Sequence, residues 1–253
     1  MTALAFDRRG SGPTLLLLHP LGADRQMWEP VLDRLAAERD VVAVDMPGFG
    51  GSPPLGHGAT PTPAALAHAI VSGLAGVVDP PFHVAGNSLG GWVALELAYA
   101  GRARSVTAIA PAGLWARSLG PRRSAARSAA RLVAPLARAL TLSSRTRALA
   151  LGGTVAHPER VPPAAAAHLV RAYATAPGFD AVNAAMRAGR FPHLGDLRVP
   201  VTLAWPDRDR LVGRPRSLPP SIRSVTLHDC GHLPTWDDPE QVAGVLLAGS
   251  IAG

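Results

Sequence analysis

A single cysteine, Cys230, stands in 253 residues, so no disulfide can form within the chain. Lysine is absent, and all 25 positive side chains are arginine. The apolar run at residues 15–18 is far too short to span a bilayer, so no membrane span is expected. The N-terminus lacks a charged region followed by a long apolar stretch and does not read as a signal peptide. The expectation is a soluble cytoplasmic protein. No H-E-x-x-H string and no paired Cys/His spacing occurs, so neither a metal nor another cofactor is expected. Internal repeats are also lacking.

What is present points to a packed globular chain. Hydrophobic residues make up 47% and charged residues 17%, enough for a substantial core and too apolar for disorder. The length suits one large domain, or one core carrying an inserted subdomain. Glycine (26) and proline (25) fall in short clusters that punctuate many brief elements. The net charge of +7 raises a nucleic-acid or membrane partner. No nucleic-acid module accompanies it, so the expectation is an ordinary arginine-rich surface and no nucleic-acid partner. Much of the excess sits between Arg117 and Arg147, and such a segment also suits an anionic substrate or lipid surface.

Four leucines at 15–18 run into His19-Pro20-Leu21-Gly22, as in a strand covered on both faces of a parallel sheet. Trp28, Val31, Leu32, Leu35 and Ala36 have helical spacing, which predicts a helix over 28–39. Further strands are expected at 41–44, 82–85 and 106–110, and helices at 63–78 and 89–100. Thr62 is the expected N-cap of the first of these helices, with Pro63 at its first position. After Pro111 the alternation stops. Residues 115–191 read as Ala/Arg/Leu-rich helices broken at Pro135, Gly152-Gly153, Pro162-Pro163 and Pro177-Gly178. Strands resume at 199–205 and 224–227, and a helix at 239–247 closes the chain. The pattern predicts an α/β fold: a mostly parallel central sheet with helices on both faces, from residues 1–112 and 196–253, plus an all-helical insertion at 113–195.

Gly86-Asn87-Ser88-Leu89-Gly90 lies where a predicted strand meets a predicted helix. So abrupt a turn throws its central side chain out above the sheet edge, and Cβ atoms on its flanks would collide, hence glycine on both sides. At a helix N-terminus, free N–H groups and the dipole favour developing negative charge on a nucleophile. The alternative is a glycine-rich turn with a capping serine. Serine needs a base, itself oriented by a carboxylate. His232, after the 224–227 strand, is the candidate base; the other histidines read as surface or helix positions. For the acid, Asp207 and Asp209 both follow the strand ending at Trp205. The amide of Leu89 is one expected oxyanion donor. Pro20 has no N–H, so Leu21 is the other.

These pieces resemble the α/β-hydrolase fold superfamily over residues 1–112 and 196–253. The matching segments are His19 to Gly22, Asp45-Met46-Pro47-Gly48-Phe49-Gly50-Gly51-Ser52, Gly86 to Gly90, Asp207 to Asp209, and Gly231-His232. Their chain order, Ser then Asp then His, is the family's. In relatives the acid ends a G-x-x-D segment, which implies a triad of Ser88, Asp209 and His232, with Asp207 left to structural contacts. Pro206 replaces that segment's usual glycine, and Pro20 replaces the glycine of a His-Gly pair. The stretch from His19 to Trp28 resembles enol-lactone hydrolases and small-substrate esterases. Gly86-Asn87-Ser88-Leu89-Gly90-Gly91 also resembles the meta-cleavage C–C bond hydrolases, but these usually carry Trp after the catalytic His, where this chain has Leu233. The insertion occupies the place of the superfamily's lid, with Trp92, Trp115 and Phe191 as candidate pocket walls or ordinary packing residues.

The expected activity is serine hydrolysis of a carboxylic ester, lactone or thioester with a largely apolar small-molecule substrate. A C–C bond hydrolase and a low-turnover small-molecule receptor are the alternatives.

Overall fold

A computed structural model describes residues 3–120 and 125–251. Arg122 and Arg123, part of the basic stretch read from the sequence, lie outside the described residues. Among the described residues seven strands form one sheet: β1 (Phe6–Arg9), β2 (Thr14–Leu18), β3 (Asp40–Val44), β4 (Phe82–Asn87), β5 (Ala103–Ile109), β6 (Val201–Pro206) and β7 (Ile222–Leu227). Their spatial order is β1-β3-β2-β4-β5-β6-β7. Only β1 runs antiparallel to its neighbour. The predicted α/β architecture is what the chain adopts.

The leucine run shows why parallel strands read as unbroken apolar stretches. Leu16 and Leu18 join one hydrophobic cluster, with Val42, Val44 and Val84. Leu15 and Leu17 join the other, with Val41, Ala43 and Ala85. Side chains alternate across the sheet, and both faces are covered. Helices α1 (Glu29–Ala36) and α9 (Pro239–Gly249) pack together and contribute to the second cluster. Helices α2 (Pro63–Gly73) and α3 (Leu89–Tyr99) pack together and contribute to the first.

The departures from the sequence reading include three with a local physical cause. Strand β1 was unforeseen: it is a four-residue edge strand of sequence Phe-Asp-Arg-Arg, whose charges suit an edge. Arg8 forks onto Asp40 with both bonds at 2.8 Å. Helix α2 begins as expected, with Thr62 Oγ1 accepting from the Ala65 amide at 3.1 Å. It ends at Gly73 rather than 78, because the chain turns through Gly76 at φ +79°. The first predicted helix opens with a 3-10 turn, Arg25–Trp28, capped by Asp24.

Between β5 and β6 the described residues contain helices and no strand. These are α4 (Ala125–Val133), α5 (Ala137–Leu140), α6 (Ser144–Leu151), α7 (Pro163–Thr175) and α8 (Phe179–Ala188). The segment is tied to the sheet region by backbone bonds from Gly178 N–H to Gly48 C=O (2.8 Å) and Leu233 N–H to Thr154 C=O (2.8 Å), and its two ends meet through Phe191 N–H to Gly113 C=O (2.9 Å). No helix among the described residues is long and apolar enough to cross a membrane.

Two core histidines give the fold an acid sensitivity. His19 accepts the Met46 amide at Nε2 (3.0 Å), which leaves Nδ1–H to donate to Pro20 C=O (2.8 Å). The Ser105 hydroxyl donates to Gly249 C=O (2.7 Å), so it accepts from His83 Nδ1–H (2.8 Å) and His83 Nε2 stays bare in the core. Burial pushes both imidazoles below their ordinary value of 6.5, aided at His83 by Arg39 and Arg104; at His19 the Pro20 carbonyl, Asp45 and Asp24 oppose it without reversing it. The unfolded chain therefore takes up protons near pH 6.5 that the folded chain refuses. Stability is full above that pH and falls below it. The midpoint of thermal unfolding is expected to drop as pH is lowered from about 7.5 to about 5.5, with His83→Gln flattening part of the slope. A pH-independent midpoint over that window would contradict this.

Candidate active site

Strand β4 hands over to α3 at Ser88, which sits at φ 55°, ψ −113°. A non-glycine residue there costs about 1–3 kcal/mol and persists only when its surroundings impose it. Three backbone bonds do so: Ser88 N–H to Ile109 C=O (2.8 Å), and Trp92 N–H (3.1 Å) and Ala112 N–H (3.0 Å) to Ser88 C=O. The flanking glycines are required by close approach. A Cβ on Gly86 would overlap the Gly90 carbonyl, and one on Gly90 the Leu18 carbonyl.

The other two candidate groups arrive at the same edge. Past β6, Asp209 Oδ1 accepts the Leu211 and Val212 amides at 2.7 and 3.2 Å. Its Oδ2 meets His232 Nδ1 at 2.7 Å, and the two side chains are only 3% and 7% exposed. Asp207 is spent elsewhere: one oxygen receives the Cys230 amide (3.4 Å) and the other lies 3.5 Å from His228. A lateral series of backbone bonds links these termini: Ser88 to Ile109, Ala110 to Ala204, Asp207 to Leu227 and Arg208 to Cys230. Among the described residues the Ser88 hydroxyl makes no hydrogen bond, to His232 or to any other group.

The loop carrying His232 is held from several sides. Asp229, at φ 59°, pairs with Arg208 (2.6 Å) and His157 (2.8 Å). Buried Asp237 accepts the amides of Gly231 (2.7 Å), Ala156 (3.0 Å) and His157 (2.8 Å). It thus joins the His232 loop to the helical segment. Cys230 lies in this loop. Burial first, then the surrounding carboxylates, pushes its thiol up to about 12, which removes it as a nucleophile at neutral pH.

Opposite Ser88, the turn after β2 is built by His19, whose Nδ1–H fixes the Pro20 carbonyl that also accepts the Ala23 amide (3.2 Å). Gly22 has φ +80°, and a Cβ there would strike Tyr173 and Phe179. Among the described residues the amides of Leu21 and Leu89 carry no hydrogen bond. His168 on α7 reaches Asp24 at 2.6 Å. Burial raises the Asp24 carboxyl, but the bond to His168 and its charge more than offset this and hold it below its ordinary value.

The three aromatic candidates divide. Trp115 and Phe191 line a cavity of about 460 Å³ with Leu114, Leu194 and Leu218. Trp92 is buried, meets Trp115 edge-on at 5.7 Å and donates to Glu96 at 2.8 Å. Ser88 and His232 do not line that cavity.

A strained serine between two obligatory glycines, a buried carboxylate–imidazole pair and two uncommitted amides now stand at one sheet edge. The model of the alpha/beta hydrolase family matches residues 15–245. The chain belongs to the alpha/beta hydrolase family. The chain is 34% identical over 183 residues to the epoxide hydrolase EphH of Mycobacterium tuberculosis, covering 66% of the chain and 84% of the relative. It is 35% identical over 96 residues to the pimeloyl-[acyl-carrier protein] methyl ester esterase of Aeromonas hydrophila. That match covers 38% of the chain and spans 36% of the esterase's length. The enol-lactonase of Burkholderia xenovorans LB400 has the same fold, with a TM-score of 0.72, 21% identity, and 97% and 95% of the two chains covered.

The sequence reading missed three positioning groups. His19 was visible only as a motif letter, since its role depends on the Met46 amide. Asp237 and the Asp24–His168 pair act between distant elements, and no local pattern marks them.

Proposed function

We propose that this hydrolase cleaves carboxylic esters or related acyl compounds, lactones and thioesters included, through an acyl-enzyme on Ser88. The observation that carries the reading is the buried Asp209–His232 bond at the edge where the β4–α3 turn lifts Ser88. Asp209 holds the proton on His232 Nδ1, which leaves Nε2 free to accept one from the Ser88 hydroxyl as Oγ attacks the substrate carbonyl carbon. Hydroxyl–imidazole bonds are often long in ligand-free enzymes and tighten when substrate binds. The Leu21 and Leu89 amides receive the oxyanion. His232 then gives the proton to the departing alcohol, activates water, and the carboxylate leaves as Ser88 is restored. Residues 113–195 are read as a lid that shapes substrate choice. A methyl ester esterase and an enol-lactonase among the relatives support this chemistry.

The epoxide hydrolase relative raises a second reading, which the nucleophile type argues against. A carboxylate opening an epoxide forms an ester that water can cleave, whereas a serine hydroxyl would form an inert ether. The test is turnover across p-nitrophenyl esters, lactones, thioesters, a ring-cleavage dienone and a styrene-type epoxide, with Ser88→Ala as control. Serine-dependent ester or lactone turnover, with an inert epoxide, is expected. Turnover of the dienone or epoxide alone would overturn the proposal.

A further inference from the structure

The charge of the chain is concentrated in one stretch. From residue 97 to residue 158 there are ten arginines and no acidic residue, against a net of +7 for the whole chain. Within it, residues 132–149 hold six of the nine exposed large apolar side chains among the described residues: Leu132, Val133, Leu136, Leu140, Leu142 and Leu149. Leu132 and Leu149 are 82% and 88% exposed, and Leu132, Leu136 and Leu140 recur at four-residue spacing.

The segment is amphipathic in an inverted sense. Besides Ala134, Ala137 and Leu151, its buried anchors are polar. Arg127 lies 4.3 Å over the Phe179 ring and donates to Tyr173 C=O (3.1 Å), Ala176 C=O (2.6 Å) and Asp180 (2.6 Å). Arg147 caps the Thr141 and Leu142 carbonyls at 2.8 and 3.1 Å. All five leucines from Leu132 to Leu149 face outward, beside exposed Arg138 and Arg145. A monomer rarely leaves such apolar surface in water unless something covers it.

We propose that residues 125–151 dock on the surface of an anionic lipid bilayer. The leucines enter the acyl boundary while Arg138 and Arg145 pair with headgroup phosphates. Exposed leucines interleaved with cations, with no acidic residue among them, match that surface. A nucleic acid would pair the arginines and leave the leucines facing water. Protein hot spots favour Trp and Tyr, with Leu under-represented, and residues 116–172 contain no Trp, Tyr or Phe. Docking is peripheral, since no helix among the described residues can cross.

The test is co-sedimentation of the full chain with phosphatidylcholine vesicles, with and without phosphatidylglycerol. Binding is expected only to the anionic vesicles and falls with added salt. The pair Leu132→Ser with Leu136→Ser, and separately Arg138→Gln with Arg145→Gln, should each weaken it at least about tenfold. All four side chains are exposed, so thermal midpoints should stay unchanged and confirm folding. Ser88→Ala should bind as the parent does, which separates this inference from the catalytic reading. No binding to anionic vesicles overturns it, and so does binding indifferent to the leucine pair, which would mean attraction by charge alone. Capture by poly-glutamate in place of vesicles, dependent on the same leucines, would assign the face to an acidic protein and also overturn it.

Discussion

Ser88→Ala is expected to lower kcat on a p-nitrophenyl ester by about four to six orders of magnitude, with KM nearly unchanged. The hydroxyl removed is the atom that forms the acyl bond, and among the described residues it supports no hydrogen bond whose loss would disturb the fold. Alanine at φ 55° carries the same strain as serine, and the three backbone bonds at position 88 remain. Stability should thus shift by less than about 1 kcal/mol. Residual turnover would come from the Leu21 and Leu89 amides and from substrate positioning. His232→Ala should fall equally far, and the double variant no further, because the two groups act in one step. A loss below tenfold in steady-state assays of Ser88→Ala would remove serine from the chemistry.

The second large effect separates two carboxylates that are neighbours in sequence. Asp209→Asn should cost about ten-thousand-fold in kcat, and Asp207→Asn no more than a few-fold. Hydrogen-bond direction explains the difference. Oδ1 of Asp209 accepts the amides of Leu211 and Leu211's neighbour Val212, so the one carbonyl oxygen of an asparagine would be drawn there. Its NH₂ would then face His232 Nδ1 and force the proton onto Nε2. The imidazole could no longer accept a proton from Ser88. Among the described residues the Asp207 side chain meets only the Cys230 amide and His228. Equal losses in the two variants would show that the buried Asp209–His232 bond has no special part in turnover.

How far the sequence carried the account depended on how local each signal was. Buried parallel strands are unbroken apolar runs, so β2 through β4 were legible to within a residue or two. The β4–α3 turn was legible because both of its glycines are demanded by backbone overlap. Strand β1 was not, since four residues with three charges carry no apolar periodicity and form only because β3 offers an edge. Nor was the end of α2, where Leu74 and Val78 remain buried after the helix has stopped. The choice between Asp207 and Asp209 came from resemblance alone, and their different partners depend on how two loops meet. The inverted burial of Arg127 and Arg147 was equally hidden. An arginine-rich helix reads as solvated until backbone carbonyls from α7 and from its own turn claim the guanidinium.

The most direct test is to treat the protein with a fluorophosphonate and map the modified peptide by mass spectrometry. One adduct is expected, on the peptide containing Ser88, formed rapidly in the parent and suppressed in His232→Ala. An adduct on another residue, or labelling of Ser88 at the same rate without His232, would contradict the triad and with it the proposed acyl-enzyme.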